Sequence, residues 1–187
     1  MNLYALCDRD MLNKKNISVE KFVEIAIGFG AEIIQYRDKN SDVSSVKQEL
    51  IKIRKKYDGF LIVNDYYELI EFCDGVHLGQ EDLQKIDTNI FKAVEIVRAV
   101  IGKDKIFGIS THNEKEILEA NNMDLNYIGL GAYRDTSTKL DIKHILGDKL
   151  DELASESKHF VGAIGGVQME DKFKNIRYHV IGSDLLK

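Results

Sequence analysis

Asp65 and Asp82 each follow a short apolar run, and two carboxylates so placed can converge on one hard cation. Mg²⁺ typically takes one or two carboxylates and fills the rest of its shell with water and phosphate oxygens. The same positions also suit aspartates that cap the helices behind them, so both readings stay open. Arg37 and Lys39 lie two apart on an extended segment, so both side chains leave it on the same side. Arginine can grip two phosphate oxygens at once, whereas lysine supplies a compact point charge. An ordinary exposed pair is the alternative. Gly165-Gly166 and Gly182-Ser183 each follow an apolar run, where backbone N–H groups can approach an anion with no side chain in the way.

The same kind of position, just past an apolar run, holds Gln35, then Asn64 beside Asp65, and Gln80 and Glu81 beside Asp82. It also holds Ser110, Thr111 and His112, then Thr136, Thr138 and Lys139. Cations, carboxylates, hydroxyls and glycine turns together suit a phosphorylated substrate and a divalent metal. The five histidines do not cluster. His77 and His144 read as structural, and only His112 lies among the polar knots. No Ser-His-Asp or Cys-His arrangement is legible, and no zinc motif is present. Cys7 and Cys73 lack metal-type spacing, and no secretory signal precedes them, so a reducing cytoplasm is expected.

The elements that must position these residues follow one alternation. Apolar runs begin at Leu3, Ile33, Phe60, Gly75, Ile106, Tyr127, Phe160 and Tyr178, and read as strands buried on both faces of a parallel sheet. Amphipathic stretches from Val19 to Phe29, Val46 to Tyr57, Phe91 to Ile101, Ile117 to Ala120 and Ile142 to Leu153 lie between them. Asn113 with Glu116 three positions on predicts a capping box. Eight strands alternating with helices favour a (β/α)8 TIM barrel spanning 1–187 as a single α/β domain. In such a barrel the polar knots all gather at the C-terminal rim, where active sites of this fold lie.

At 187 residues the barrel must be compact, since roughly 250 is usual for this fold. Gln168 to Arg177 leaves room for only a short helix after the seventh strand, and no final helix of useful length follows the eighth. A thinly covered apolar strip between strands eight and one is therefore expected, and with it a homodimer. The net charge of −5 argues against a broad nucleic-acid surface, and no apolar run reaches membrane length. The chain has no proline, so its turns must be built from Gly, Asn, Asp and Ser.

The polar knots carry a family resemblance. Gln35-Tyr36-Arg37-Asp38-Lys39, Asn64-Asp65 and Asp74 to Asp82 (DGVHLGQED) are similar to thiamine phosphate synthase. So are Gly108 to Asn113, Thr136-Ser137-Thr138-Lys139 and Ile164 to Val167, all in the family's order along nearly the whole chain. The resemblance implies the (β/α)8 fold. It also implies condensation of 4-amino-5-hydroxymethyl-2-methylpyrimidine diphosphate with 4-methyl-5-(2-hydroxyethyl)thiazole phosphate, releasing pyrophosphate. By that similarity Asp65 and Asp82 hold Mg²⁺, and Gln35, Arg37, Lys39, Asn64 and Lys139 embrace the pyrimidine diphosphate. Ser110 lies against the pyrimidine, while Thr136, Thr138, Gly166, Gly182 and Ser183 receive the thiazole phosphate. Arg37, Lys39, Ser110 and Lys139 are the expected catalytic residues.

The sequence departs from the family pattern at Arg134-Asp135, a charge pair in a loop where the family carries proline. Two alternatives stand beside the synthase: a thiazole tautomerase-like isomerase, and a barrel that binds a thiamine precursor without turnover. Retention of Asn64, Asp65, Asp82 and Lys139 favours the synthase.

Overall fold

The computed structural model describes residues 2–135 and 145–187. Eight parallel strands close into one barrel in sequence order. They are β1 (Asn2–Asp8), β2 (Ile33–Arg37), β3 (Phe60–Asn64), β4 (Gly75–Leu78), β5 (Ile106–Thr111), β6 (Tyr127–Leu130), β7 (Phe160–Ala163) and β8 (Tyr178–Ile181). All eight lie where the apolar runs predict them. The described helices are α1 (Arg9–Lys15), α2 (Val19–Gly28), α3 (Val43–Arg54), α4 (Gln80–Ile86), α5 (Ile90–Ile101), α6 (Glu114–Ala120) and α7 (Lys149–Ala154). With no proline available, short polar side chains start them. Asp8, Ser18, Asp42, Asn89 and Asn113 each accept a backbone N–H of the first helical turn.

Alternation along each strand sorts the core into two parts. Tyr4, Ile33, Ile62, Tyr127 and Val180 fill the barrel interior, while residues such as Ile34, Val63, Val76 and Ile128 belong to the layer under the helices. Gln35, Asn64, His77 and Ser110 share the parity of the interior set, so the strand period itself aims them into the barrel. Gly108 makes room there, because a Cβ on it would lie 2.1 Å from Cζ of Tyr127. Gly108→Ala is therefore expected to cost about 1–3 kcal/mol by overpacking. Urea unfolding checks this, and an unchanged midpoint would contradict the packing argument.

Several expectations need correction. No helix forms between β7 and β8. Instead Phe173 of that segment packs edge-on against His179 and Tyr133, at 5.1 and 5.0 Å between ring centroids. After β8 the chain makes a 3-10 helix, Ser183–Leu186, whose Leu185 is buried. The strip between β8 and β1 is consequently not bare, for Leu3 and Ile181 are both buried. The argument for a homodimer through that strip falls with it.

The helix expected from Ile142 starts, among the described residues, at Lys149. The predicted capping box is half formed. Asn113 accepts from the Glu116 N–H at 2.9 Å, but the Glu116 carboxylate takes the His112 N–H at 2.8 Å. Periodicity missed α1, α4 and the 3-10 helix Tyr67–Phe72, all too short to show a clear face.

Candidate active site

At the C-terminal rim β2, β3 and β4 bring the predicted cation-binding residues together. The Lys39 ammonium bridges both aspartates, 2.5 Å from Asp65 Oδ2 and 3.0 Å from Asp82 Oδ2. Lys85, one turn along α4, binds the other Asp82 oxygen at 2.8 Å. Neither aspartate caps a helix. Gly79 is the N-cap of α4, Asp82 is its third residue, and Tyr66 precedes the 3-10 helix behind Asp65 with no side-chain cap.

Asp65 stands in the left-handed region at φ 69°, a conformation that costs less for Asp or Asn than for most residues. Its Oδ1 is buried without a hydrogen-bond partner among the described residues. Burial raises the pKa of Asp65, prevailing over the attraction of Lys39. Burial also opposes ionisation of Asp82, but hydrogen bonds from Lys85 and Lys39 overcome it and hold that carboxyl at about 2. A buried, unpartnered carboxylate oxygen beside a second carboxylate is what a hard cation could satisfy. The donor set thus fits Mg²⁺, with phosphate and water oxygens completing the shell. Among the described residues no group of three or more His, Cys, Asp or Glu side chains could hold a metal.

Arg37 ends β2 directly opposite Asp8 on β1, and the two form a close ion pair. Asp8 also accepts the Met11 N–H at 2.8 Å. This aspartate, almost fully buried, is a residue sequence reasoning missed. Nothing in the first strand marks it except an acid at the end of an apolar run.

A polar chain crosses the barrel below the rim. Ser110 Oγ lies 3.0 Å from His77 Nε2, and His77 Nδ1 lies 2.9 Å from the Tyr127 hydroxyl. That hydroxyl meets Tyr4 at 2.8 Å, Tyr4 donates to Gln35 Oε1 at 2.8 Å, and Gln35 Nε2 donates to Asn64 Oδ1 at 2.7 Å. Burial raises the pKa of both phenols, so both remain protonated at neutral pH. The protonated phenols fix part of the chain's direction: Tyr4 must accept from Tyr127, and Tyr127 from His77 Nδ1–H. His77 is thus held as a buried part of the barrel, as the sequence predicts, and its contact with Ser110 is one that spacing along the chain does not show. The two residues meet because β4 and β5 are neighbours with His77 opposite Gly108. His112, by contrast, serves the start of α6 through Glu116.

Across the mouth, Gly165 and Gly166 stand at φ 78° and 70°. Arg134 packs against this turn, donating to Gly166 O at 3.1 Å and forming a two-pronged ion pair with Asp171, both contacts 2.6 Å. The pairing partner of Arg134 thus comes from the segment after β7. Gly182 lies against β1, 3.4 Å being the approach a Cβ there would make to Leu6 O, and Ser183 begins the last 3-10 helix. Thr136, Thr138 and Lys139 lie outside the described residues.

The fold and this rim define a class first: a (β/α)8 barrel with its polar groups at the strand C-termini, where enzymes of this fold work. The family described as thiamine monophosphate synthase matches residues 3–182, and the chain belongs to that family. A thiamine-phosphate synthase of Persephonella marina is 38% identical over 172 residues, covering 89% of this chain and 77% of its own. One from Clostridium novyi is 35% identical over 175 residues, covering 90% and 80%. The solved thiamine phosphate pyrophosphorylase of Pyrococcus furiosus is 25% identical with a TM-score of 0.75, covering 97% of this chain and 85% of that one.

Proposed function

We propose that this chain makes thiamine phosphate from 4-amino-5-hydroxymethyl-2-methylpyrimidine diphosphate and 4-methyl-5-(2-hydroxyethyl)thiazole phosphate. The observation that carries the site assignment is the Lys39-bridged pair Asp65 and Asp82, beside Arg37 and Asn64 on adjacent strand ends. Asp65 and Asp82 would hold Mg²⁺. Held there, Mg²⁺ would supply positive charge opposite a departing diphosphate.

The amino group of the pyrimidine pushes electrons toward the exocyclic carbon, so the C–O bond to diphosphate breaks and its pair leaves with pyrophosphate. The thiazole nitrogen then donates its lone pair to that carbon and forms the C–N bond. Arg37 and Lys39 stabilise the leaving charge, as does Lys139. Gln35, Asn64 and Ser110 orient the pyrimidine from the end of the barrel chain, and holding both rings in line supplies much of the acceleration. No strong general base is required, since the thiazole nitrogen carries no proton. Thr136, Thr138, the Gly166 turn, Gly182 and Ser183 receive the thiazole phosphate.

No described helix is long and apolar enough to cross a membrane. A cytoplasmic location and a homodimer belong to the same reading; light scattering that gives only the monomer mass would remove the latter. The deciding experiment incubates the protein with both substrates and Mg²⁺ and follows thiamine phosphate by chromatography. Its formation supports the reading. No product, with isomerisation of a thiazole precursor instead, would favour the tautomerase.

A further inference from the structure

Arg134, which departs from the family's loop pattern, stands against the glycine turn after β7. Three successive carbonyls of that turn face Tyr133 and Arg134. Ile164 O accepts the Tyr133 N–H and Gly165 O the Arg134 N–H, both at 2.9 Å, and Gly166 O accepts from Arg134 Nη1 at 3.1 Å. In a trans peptide the N–H points opposite to the C=O. The N–H groups of Gly165, Gly166 and Val167 are therefore turned to the other side, where none finds an acceptor among the described residues. The next along, on Gln168, is taken by Asp171 at 2.8 Å. Successive N–H groups turned one way make a concave anion site. We infer that Arg134 and Asp171 are positioning residues of this cradle, and that their ion pair holds the Gly165–Gly166 turn with its N–H groups aimed at the phosphate of the thiazole substrate.

The turn needs such a clamp. Both glycines stand at positive φ, 78° and 70°, and glycine is the residue freest to leave that conformation. An ion pair in open water would hold it weakly. The Asp171 side chain is only 8% exposed, however, and the guanidinium grips both of its oxygens at 2.6 Å. Asp171 Oδ2 also takes the Gln168 N–H, so one carboxylate ties Arg134 to the far end of the turn.

Arg134 is itself held from a second side. Its guanidinium lies 4.3 Å from the centroid of the Tyr133 ring, and that ring meets Phe173 edge-on at 5.0 Å. The clamp therefore joins the end of β6 to the segment between β7 and β8. The charge of Arg134 is balanced by Asp171, so it acts through the backbone of the turn instead of gripping the phosphate. The inference rests on the proposed thiazole phosphate site and adds to it the pair that shapes it.

The test separates the two substrates. Arg134→Met alone strands the Asp171 carboxylate, so the variant used adds Asp171→Asn, whose amide oxygen can still accept the Gln168 N–H. Calorimetric titration of the full chain should show thiazole phosphate binding about tenfold more weakly to this double variant, the scale of losing positioned hydrogen bonds. Pyrimidine diphosphate binding should not change. Steady-state kinetics should place the same loss in KM for thiazole phosphate, with kcat within about twofold of wild type. Arg134→Lys keeps the charge beside Asp171 but cannot grip it at two points, so it should fall between wild type and the double variant and serves if the latter does not fold. Thiazole phosphate binding as tight as wild type, or equal loss for both substrates, would overturn the inference and leave the proposed function standing. Wild-type protein that binds neither substrate would overturn the proposed function and the inference with it.

Discussion

Asp65→Asn is expected to lower kcat/KM at limiting Mg²⁺ by at least about 100-fold, the scale of losing a group that stabilises developing charge. The fold should survive. Asparagine accepts the left-handed backbone of this position almost as well as aspartate does. Asparagine is also of the same size and can still accept from Lys39 through its amide oxygen. The pKa of Asp65 is raised, so its contribution to stability is greatest below the unfolded carboxylate value of about 3.9 and is lost as pH rises through the folded value. Thermal unfolding should therefore show the variant gaining on wild type as pH climbs through that window. Full activity at limiting Mg²⁺, or outright unfolding, would mean that Asp65 serves the fold alone.

Arg37→Ala is the second large effect, and it has two separable parts. Asp8 is buried beside it, so deleting the guanidinium strands a carboxylate and should cost about 3–5 kcal/mol of stability. Pyrimidine diphosphate binding should weaken by roughly 10–100-fold, the worth of a charge-assisted hydrogen bond, while thiazole phosphate binding to the free protein changes little. Asp8→Asn on top of Arg37→Ala separates the two. Asparagine still caps α1, so stability should return while diphosphate binding stays weak. Denaturation of both variants, with separate titrations of the two substrates, checks this. Equal loss for both substrates would remove Arg37 from the diphosphate site.

Much of the architecture was legible because buried parallel strands are apolar on both faces. Ile33-Ile34 and Leu61-Ile62-Val63 announce themselves without any partner, and Asp65 could be placed just past a strand end by counting along the chain, whereas Asp82, expected at the end of β4, lies in the first turn of α4. The segment after β7, where a short helix is expected, instead covers the barrel without regular structure, through Val167, Met169, Phe173 and Ile176 packed on the core and Phe173 edge-on to Tyr133 and His179. The short helices α1 and α4 were invisible because a turn or two shows no repeat.

By itself, then, the sequence determined which residues reach the rim, since alternation along a strand is a local property of the backbone. Which of them touch was decided only by the pairing of neighbouring strands. Asp8 finds Arg37 across 29 residues, His77 finds Ser110 across 33, and Lys39 finds Asp82 across 43. Each pairing depends on strand register and on neighbours that periodicity does not specify. The same physics explains why the Asp65–Asp82 pair reads in sequence as a cation site but in the folded chain already holds a cation of its own. Lys39 stands in the turn just past β2, and its partners are supplied by Asp65 after β3 and Asp82 on α4, which the pairing of β2, β3 and β4 brings beside it.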